Sequence, residues 1–218
     1  YPRPIYRYHD YQGGRYCHQK KRLLLHFLAR LGIIAGVFLS CLGQSNAADH
    51  AAVLMYHRFG EDKYPSTNIR LNQFDAHLEK LSNGNYSVWP LAKIVNHLQK
   101  DMPLPDRTVA ITIDDAYLSV FTEAWPRLQA KGFPFTVFVA TDPVDRKNRG
   151  YMSWDQLREL KAAGVMVGSQ THTHPHMHTL SVERVREEID TSNQIFLNEL
   201  GERPELFAYP YGEYSRFV

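Results

Sequence analysis

Six consecutive apolar or β-branched residues, Thr108-Val-Ala-Ile-Thr-Ile113, limit the fold more than any other stretch. A strand with one wet face alternates apolar and polar residues, whereas an unbroken run of this length fits a buried strand. The run ends directly on two carboxylates, Asp114 and Asp115. An ionised carboxylate at the edge of an apolar core is unfavourable unless paired or metal-bound, and two side by side raise the pKa of one of them. Neighbouring strand side chains point to opposite faces, so both can serve one site only where the strand ends and the backbone turns. Ala116-Tyr117 offers that turn. A divalent cation on one Asp would relieve the repulsion and leave the other free as a base. Taken alone, the pair is explained as simply by an Asp capping the helix that follows.

The rest of the chain supplies the sheet that such a strand needs. Ala51 to His57 is a short apolar run that fits another buried strand, and Arg58 to Ile69, with Gly60 and Pro65, reads as loop. Leu71, Phe74, Leu78 and Leu81 share one helical face, ended by Asn83-Gly84. A brief strand at Val88, a helix over 91–98 and a break at Pro103 and Pro105 lead into the Thr108 strand. Beyond it come a helix over 118–131 ended by Gly132, a strand over 134–141, and a polar loop to Ser153-Trp-Asp-Gln156, a capping-box pattern. A helix to Ala163, a strand over 165–169, a helix over 181–200 and a last strand over 206–209 follow. Strand and helix alternate at βα spacing, which predicts a parallel sheet with outer helices. A (β/α) barrel is the first expectation and an open doubly wound sheet the second. In a barrel, active residues come from the C-terminal ends of strands, where His57, Asp114, Asp115, Thr141, Ser169 to His178 and Pro210-Tyr211 all fall.

Charge divides the chain unevenly. Residues 1–47 hold seven Lys or Arg and one acid, leaving 18 basic against 22 acidic residues and a net of −4 for the remainder. That balance argues against a nucleic-acid partner. Lys20-Lys21-Arg22, the apolar run from Leu31 to Gly43 and the small residues around Ala47 form the three parts of a secretory signal. The run is shorter than the ~20 residues a bilayer span requires. We therefore expect a Tyr- and Arg-rich extension over 1–19, a signal peptide over 20–47 and a folded domain over 48–218, exported to the periplasm, the cell envelope or the medium, with no stable membrane span after cleavage. Cys17 and Cys41 both lie before Ala48, so the domain must bind any metal through His, carboxylate or amide.

The second chemical cluster is Ser169-Gln-Thr-His172-Thr-His174-Pro-His176-Met-His178. Four histidines within seven residues, directly after an apolar strand, favour metal binding over a merely His-rich surface loop. Single residues carry less. His57 would line the site from the first strand or serve as a hydrogen-bonded structural residue. Trp89, Trp125 and Trp154 would stack on sugar or pack on helix faces. Glu187, Glu188 and Asp190 read as a solvated helix face.

Together these segments resemble the polysaccharide deacetylases, the carbohydrate esterase group with the NodB homology domain. Thr112-Ile-Asp-Asp-Ala116 is similar to their Thr-Phe-Asp-Asp-Gly motif, Ser169 to Pro175 to their His-Ser/Thr-x-x-His-Pro motif, and Phe207-Ala-Tyr-Pro-Tyr-Gly212 to their Arg-x-Pro-Tyr motif. The resemblance runs from about Ala51 to the end and implies an α/β fold, an incomplete (β/α) barrel of the deacetylase type. It implies removal of N-acetyl groups from an N-acetylated glycan: peptidoglycan, a chitooligosaccharide or poly-N-acetylglucosamine. Asp114 becomes the general base, Asp115, Gln170 and His174 the metal ligands, and the Tyr211 backbone N–H part of the oxyanion site. The implied cofactor is a divalent ion, zinc first, with cobalt or nickel as alternatives.

Three departures from the family pattern bear on activity. Gln170 stands where the first ligating His is normal, and its amide oxygen is a poorer zinc ligand, so His172, His176 or His178 is a candidate replacement. Ala208 stands where the motif has the Arg that orients the catalytic Asp, for which Arg58 or Arg70 is a candidate substitute. The family's later motifs, with an acetyl-pocket Trp and a His acting as general acid, are expected downstream of Val218. On that basis the chain reads as the N-terminal part of a deacetylase, impaired on its own, and a glycan-binding relative without catalysis is the competing expectation.

Overall fold

The structure is a computed structural model that describes residues 48–215. The expected extension and signal peptide over 1–47 lie outside the described residues.

A parallel sheet carries the fold. Strands β1 (Ala52–Tyr56), β4 (Ser87–Val88), β5 (Thr108–Ile113), β6 (Thr136–Val139) and β7 (Met166–Ser169) pair in the order β1-β5-β6-β7, with β4 joining the start of β5. Two further short strands, β2 (Arg58–Phe59) and β3 (Asn68–Ile69), pair with each other inside the segment expected to be loop. Every residue of β5 is buried, and Val109 has Ala52 on one side and Val88 on the other. The parallel-strand α/β architecture is therefore present, as an open arc rather than a closed barrel.

Helices α1 (Leu71–Asn83), α3 (Trp125–Lys131), α5 (Trp154–Ala162) and α6 (Val182–Leu200) cover one face. Val109, Ile111 and Ile113 of β5 and Val137 and Val139 of β6 meet Phe74, Leu78, Leu128, Leu157 and Phe196 there in the main core. Ala110 points the other way and packs with Ile94 of α2 (Leu91–Gln99) and with Leu104. Two helix starts follow the expected chemistry. Ser153 accepts from the Gln156 N–H while the Gln156 side chain accepts from the Ser153 N–H, at 3.3 and 2.9 Å, and Ser181 caps α6.

Four expectations need correction. The helix expected over 118–131 is π-helical over Val120–Ala124 before α3 begins, with the Trp125 N–H reaching the Val120 carbonyl. Pro126 has no N–H and its ring crowds the carbonyl four residues back, which the wider turn relieves. The loop after β6 opens with a helical turn, α4 (Thr141–Asp145). The segment 206–209 makes only one bridge, Phe207 to Ser169. Finally, β1 is half open: Val53 and Met55 are 51% and 62% exposed, because they share one face of the strand and no described element covers that face.

Candidate active site

The C-terminal ends of β1, β5, β6 and β7 face one cleft of about 620 Å³. Ladder hydrogen bonds continue past the strand ends and fix the first residues of each loop. The Asp114 N–H donates to the Tyr56 carbonyl at 2.8 Å, and the Gln170 N–H to the Val139 carbonyl at 2.9 Å. Beyond Asp114 the backbone turns at Asp115 and Ala116, both at positive φ (71° and 54°). That turn is how two consecutive side chains reach one site. Thr171, His174 and Tyr211 also sit at positive φ, a costly conformation for residues other than Gly that collects where a site over-determines the backbone.

Asp114 is 7% exposed. Burial is the main cause that pushes its carboxyl up to about 6; the neighbouring Asp115 adds to the rise, while the charge of His57 and a hydrogen bond from Gln170 oppose it. Asp115 Oδ1 lies 3.5 Å from His174 Nε2. Burial also holds the His174 imidazole below its ordinary pKa, which favours the neutral form that ligates metals. Two ligands about 2.1 Å from a tetrahedral cation lie roughly 3.4 Å apart, so the Asp115–His174 spacing fits a shared divalent ion. The Gln170 amide is buried. Its Oε1 faces the Asp115 N–H at 3.4 Å and its N–H group donates to Asp114. An amide oxygen has a second lone pair, so this arrangement leaves Gln170 able to add a weak third ligand.

None of the three replacement histidines faces Asp115. His172 Nδ1 bonds the Thr141 hydroxyl at 2.8 Å, and His176 and His178 both turn to Glu213, at 2.7 and 3.0 Å. Besides His174, the imidazole that enters the cleft is His57, at the end of β1, close enough for its charge to depress both Asp114 and His174. Neither arginine takes the place of the motif Arg. The Arg58 guanidinium lies over the rings of Tyr117 and Tyr64, at 3.3 and 3.9 Å, and pairs with Glu61, while Arg70 precedes α1 as its N-cap residue. Gln170 and His57 are instead the groups acting on Asp114.

The largest departure from the sequence reading is Glu188. It is 3% exposed, not on a solvated face. Its Oε2 accepts from the N–H groups of His172 and Thr173 at 3.1 and 2.7 Å, and its Oε1 from the Thr173 hydroxyl at 2.8 Å. The only sequence signal was its place one residue past Glu187 on a helix whose buried stripe includes Val185 and Ser192. The tryptophans are packing residues: Trp125 meets Phe121, Trp154 meets Phe196 and donates to Asp145, and Trp89 packs beside Ile94 with His97 against it. A larger groove of about 920 Å³ shares Tyr151 with the site but is lined by no histidine.

Several known proteins are similar to this chain. A sequence model described as polysaccharide deacetylase matches residues 101–218. YxkH of Bacillus subtilis strain 168, which carries a provisional polysaccharide deacetylase name, is 24% identical over 163 residues, covering 75% of this chain and 57% of that protein. The poly-β-1,6-N-acetyl-D-glucosamine N-deacetylase of Staphylococcus aureus strain MRSA252 is 24% identical over 159 residues, covering 66% and 54%. The chain thus spans about half the length of these curated relatives. Among solved structures, IcaB from Ammonifex degensii is similar with a TM-score of 0.70 and 29% identity over 78% of each chain. The Streptococcus pyogenes deacetylase PplD in complex with acetate shares the fold, with a TM-score of 0.70 and 21% identity over 77% of this chain and 76% of that one.

Proposed function

Because the chain belongs to the polysaccharide deacetylase family, we propose that it hydrolyses N-acetyl groups on an exported N-acetylated glycan. The observation that carries this reading is the convergence of Asp114, Asp115, His174 and His57 in one cleft at the strand ends. Asp115 and His174 would hold a divalent cation, with the Gln170 amide oxygen as third ligand. Such an ion, when bound, supplies Lewis-acid polarisation of the acetamide carbonyl and a more acidic water. A mixed imidazole and oxygen set suits zinc, cobalt or nickel, more weakly than two imidazoles would.

The protein's own groups account for the proton movements. Asp114, poised near neutrality, accepts the proton of the attacking water. The Tyr211 backbone N–H, at the turn beside His174, donates to the oxygen that gains charge. His57 gives a proton to the departing sugar nitrogen as the C–N bond breaks, leaving acetate and a free amine. This assigns to β1 the proton donor that the sequence reading expected downstream. We further propose that poly-β-1,6-linked N-acetylglucosamine is the preferred glycan, supported by the name of the S. aureus relative, and that residues 20–47 direct export of a domain over 48–218.

A second reading, a glycan-binding protein without turnover, is favoured by Gln170 at the first ligand position. Acetate release by the purified protein from chitooligosaccharide, peptidoglycan and β-1,6-linked glucosaminoglycan separates the two. Turnover that is abolished in Asp114→Asn and restored to chelated protein by added zinc or cobalt is the expected result. Glycan binding without acetate release, unchanged in Asp114→Asn, would establish the binder.

A further inference from the structure

The two outer histidines of the loop converge on a carboxylate from a different segment. Glu213 Oε2 lies 2.7 Å from His176 Nδ1 and 3.0 Å from His178 Nδ1, and one ligand atom from each of the three residues lies within 4.8 Å of the others. We propose that His176, His178 and Glu213 form a second binding site for a divalent transition-metal ion of the zinc class, separate from the Asp115–His174 cluster.

Two imidazoles and one carboxylate are a ligand set that such ions take with a further position left to water. Local structure keeps the set together. Met177, between the two histidines, is fully buried in a single helical turn, Met177–Thr179, which anchors the turn from beneath and leaves both imidazoles outside. The His176 ring stacks on Tyr211 with centroids 4.0 Å apart and planes 12° apart, which fixes its orientation. A simple hydrogen-bonded pair would need only one imidazole on Glu213, whereas here two present Nδ1 to the same oxygen. The consequence of occupancy is mechanical. The ion would tie the histidine loop to the Pro210–Gly212 turn, and so hold Tyr211, whose ring lies 4.7 Å from that of His174, in place beside the cleft.

The inference does not depend on the deacetylase reading, and zinc titration of the metal-stripped protein by calorimetry tests the two separately. Wild type is expected to bind about two equivalents, and Asp115→Asn and Glu213→Gln about one each. The double variant is expected to bind none. If the Asp115 cluster holds no ion, wild type and Asp115→Asn bind equally and Glu213→Gln alone abolishes binding, which supports the surface site while removing the other. Cobalt bound to Asp115→Asn should show a visible absorption band that His178→Ala eliminates. Because His178 and Glu213 are partly exposed, both substitutions should leave the melting temperature of the metal-free protein unchanged. Zinc binding that is the same with and without Glu213→Gln and His178→Ala, or an Asp115→Asn protein that binds no zinc, would overturn the proposal and leave a plain His–Glu hydrogen bond.

Discussion

Burial of Asp114 beside Asp115 makes its carboxyl costly to ionise, and that cost has a sign measurable apart from activity. The folded-state value is about 6, against about 3.9 for an unfolded Asp. Between these values the folded protein binds more protons than the unfolded chain, so the stability associated with this group is complete below about pH 4 and is lost as pH rises through about 6. Asp114→Asn removes the titration. In metal-free protein, wild type and variant should melt alike near pH 4, and the variant should gain on the order of 2–3 kcal/mol above about pH 7, read from calorimetric melts across that range. At the same scale, His57→Ala should lower kcat by about 10²–10⁴-fold with little change in KM, if it supplies the departing proton. Steady-state acetate release checks this, and a KM effect alone would make His57 a binding residue. The Asp pair and His174 were legible in the sequence because they sit in a motif at a strand end. The hydrogen bonds of Gln170 to Asp114 and to the Asp115 N–H were not, since which groups its amide meets depends on how two separate strand ends are brought together.

At the scale of elements, the histidine loop is held by a helix that no local pattern connects to it. Glu188 and the loop residues it caps are 15 and 16 positions apart. Periodicity along α6 identifies which face is buried but not which backbone groups wait beneath it, so Glu188 passed for surface. Glu188→Ala leaves the N–H groups of His172 and Thr173 without their acceptor and should cost on the order of 1–3 kcal/mol. Glu188→Gln keeps an acceptor oxygen and should recover part of that loss. Urea melts of the two variants check both, and metal affinity at Asp115–His174 should fall with Glu188→Ala because the loop no longer has one position. Alternation of apolar runs and helical stripes located β1, β4 to β7 and every α-helix but α4, and left β2 and β3 inside a segment read as loop. It missed the π-helical stretch, which one proline imposes, and it could not show that 206–209 would make only a single bridge.

At the largest scale, β1 is paired on one edge only, with β5, among the described residues. A run such as Val53-Leu-Met55 reads as core from sequence, because hydrophobicity reports that burial is favourable and not whether a neighbour is present to provide it. An unpaired edge with exposed apolar side chains is a site for pairing with another chain. The protein should therefore self-associate at high concentration, and Val53→Lys should suppress this while changing stability by less than about 0.5 kcal/mol. Sedimentation velocity across a concentration series, with thermal melts alongside, checks both parts. Association that is unaffected by Val53→Lys would place the contact elsewhere.

The Glu188 carboxylate also sets a clock. The amide hydrogens of His172 and Thr173 belong to no helix or strand, and loop amides ordinarily exchange with solvent quickly. Here their acceptor is anchored in a helix of 19 residues whose inner face packs on the main core. Their exchange should be slow and should follow the opening of α6 rather than the fluctuation of the loop, so that the residues nearest the chemistry keep time with the body of the domain.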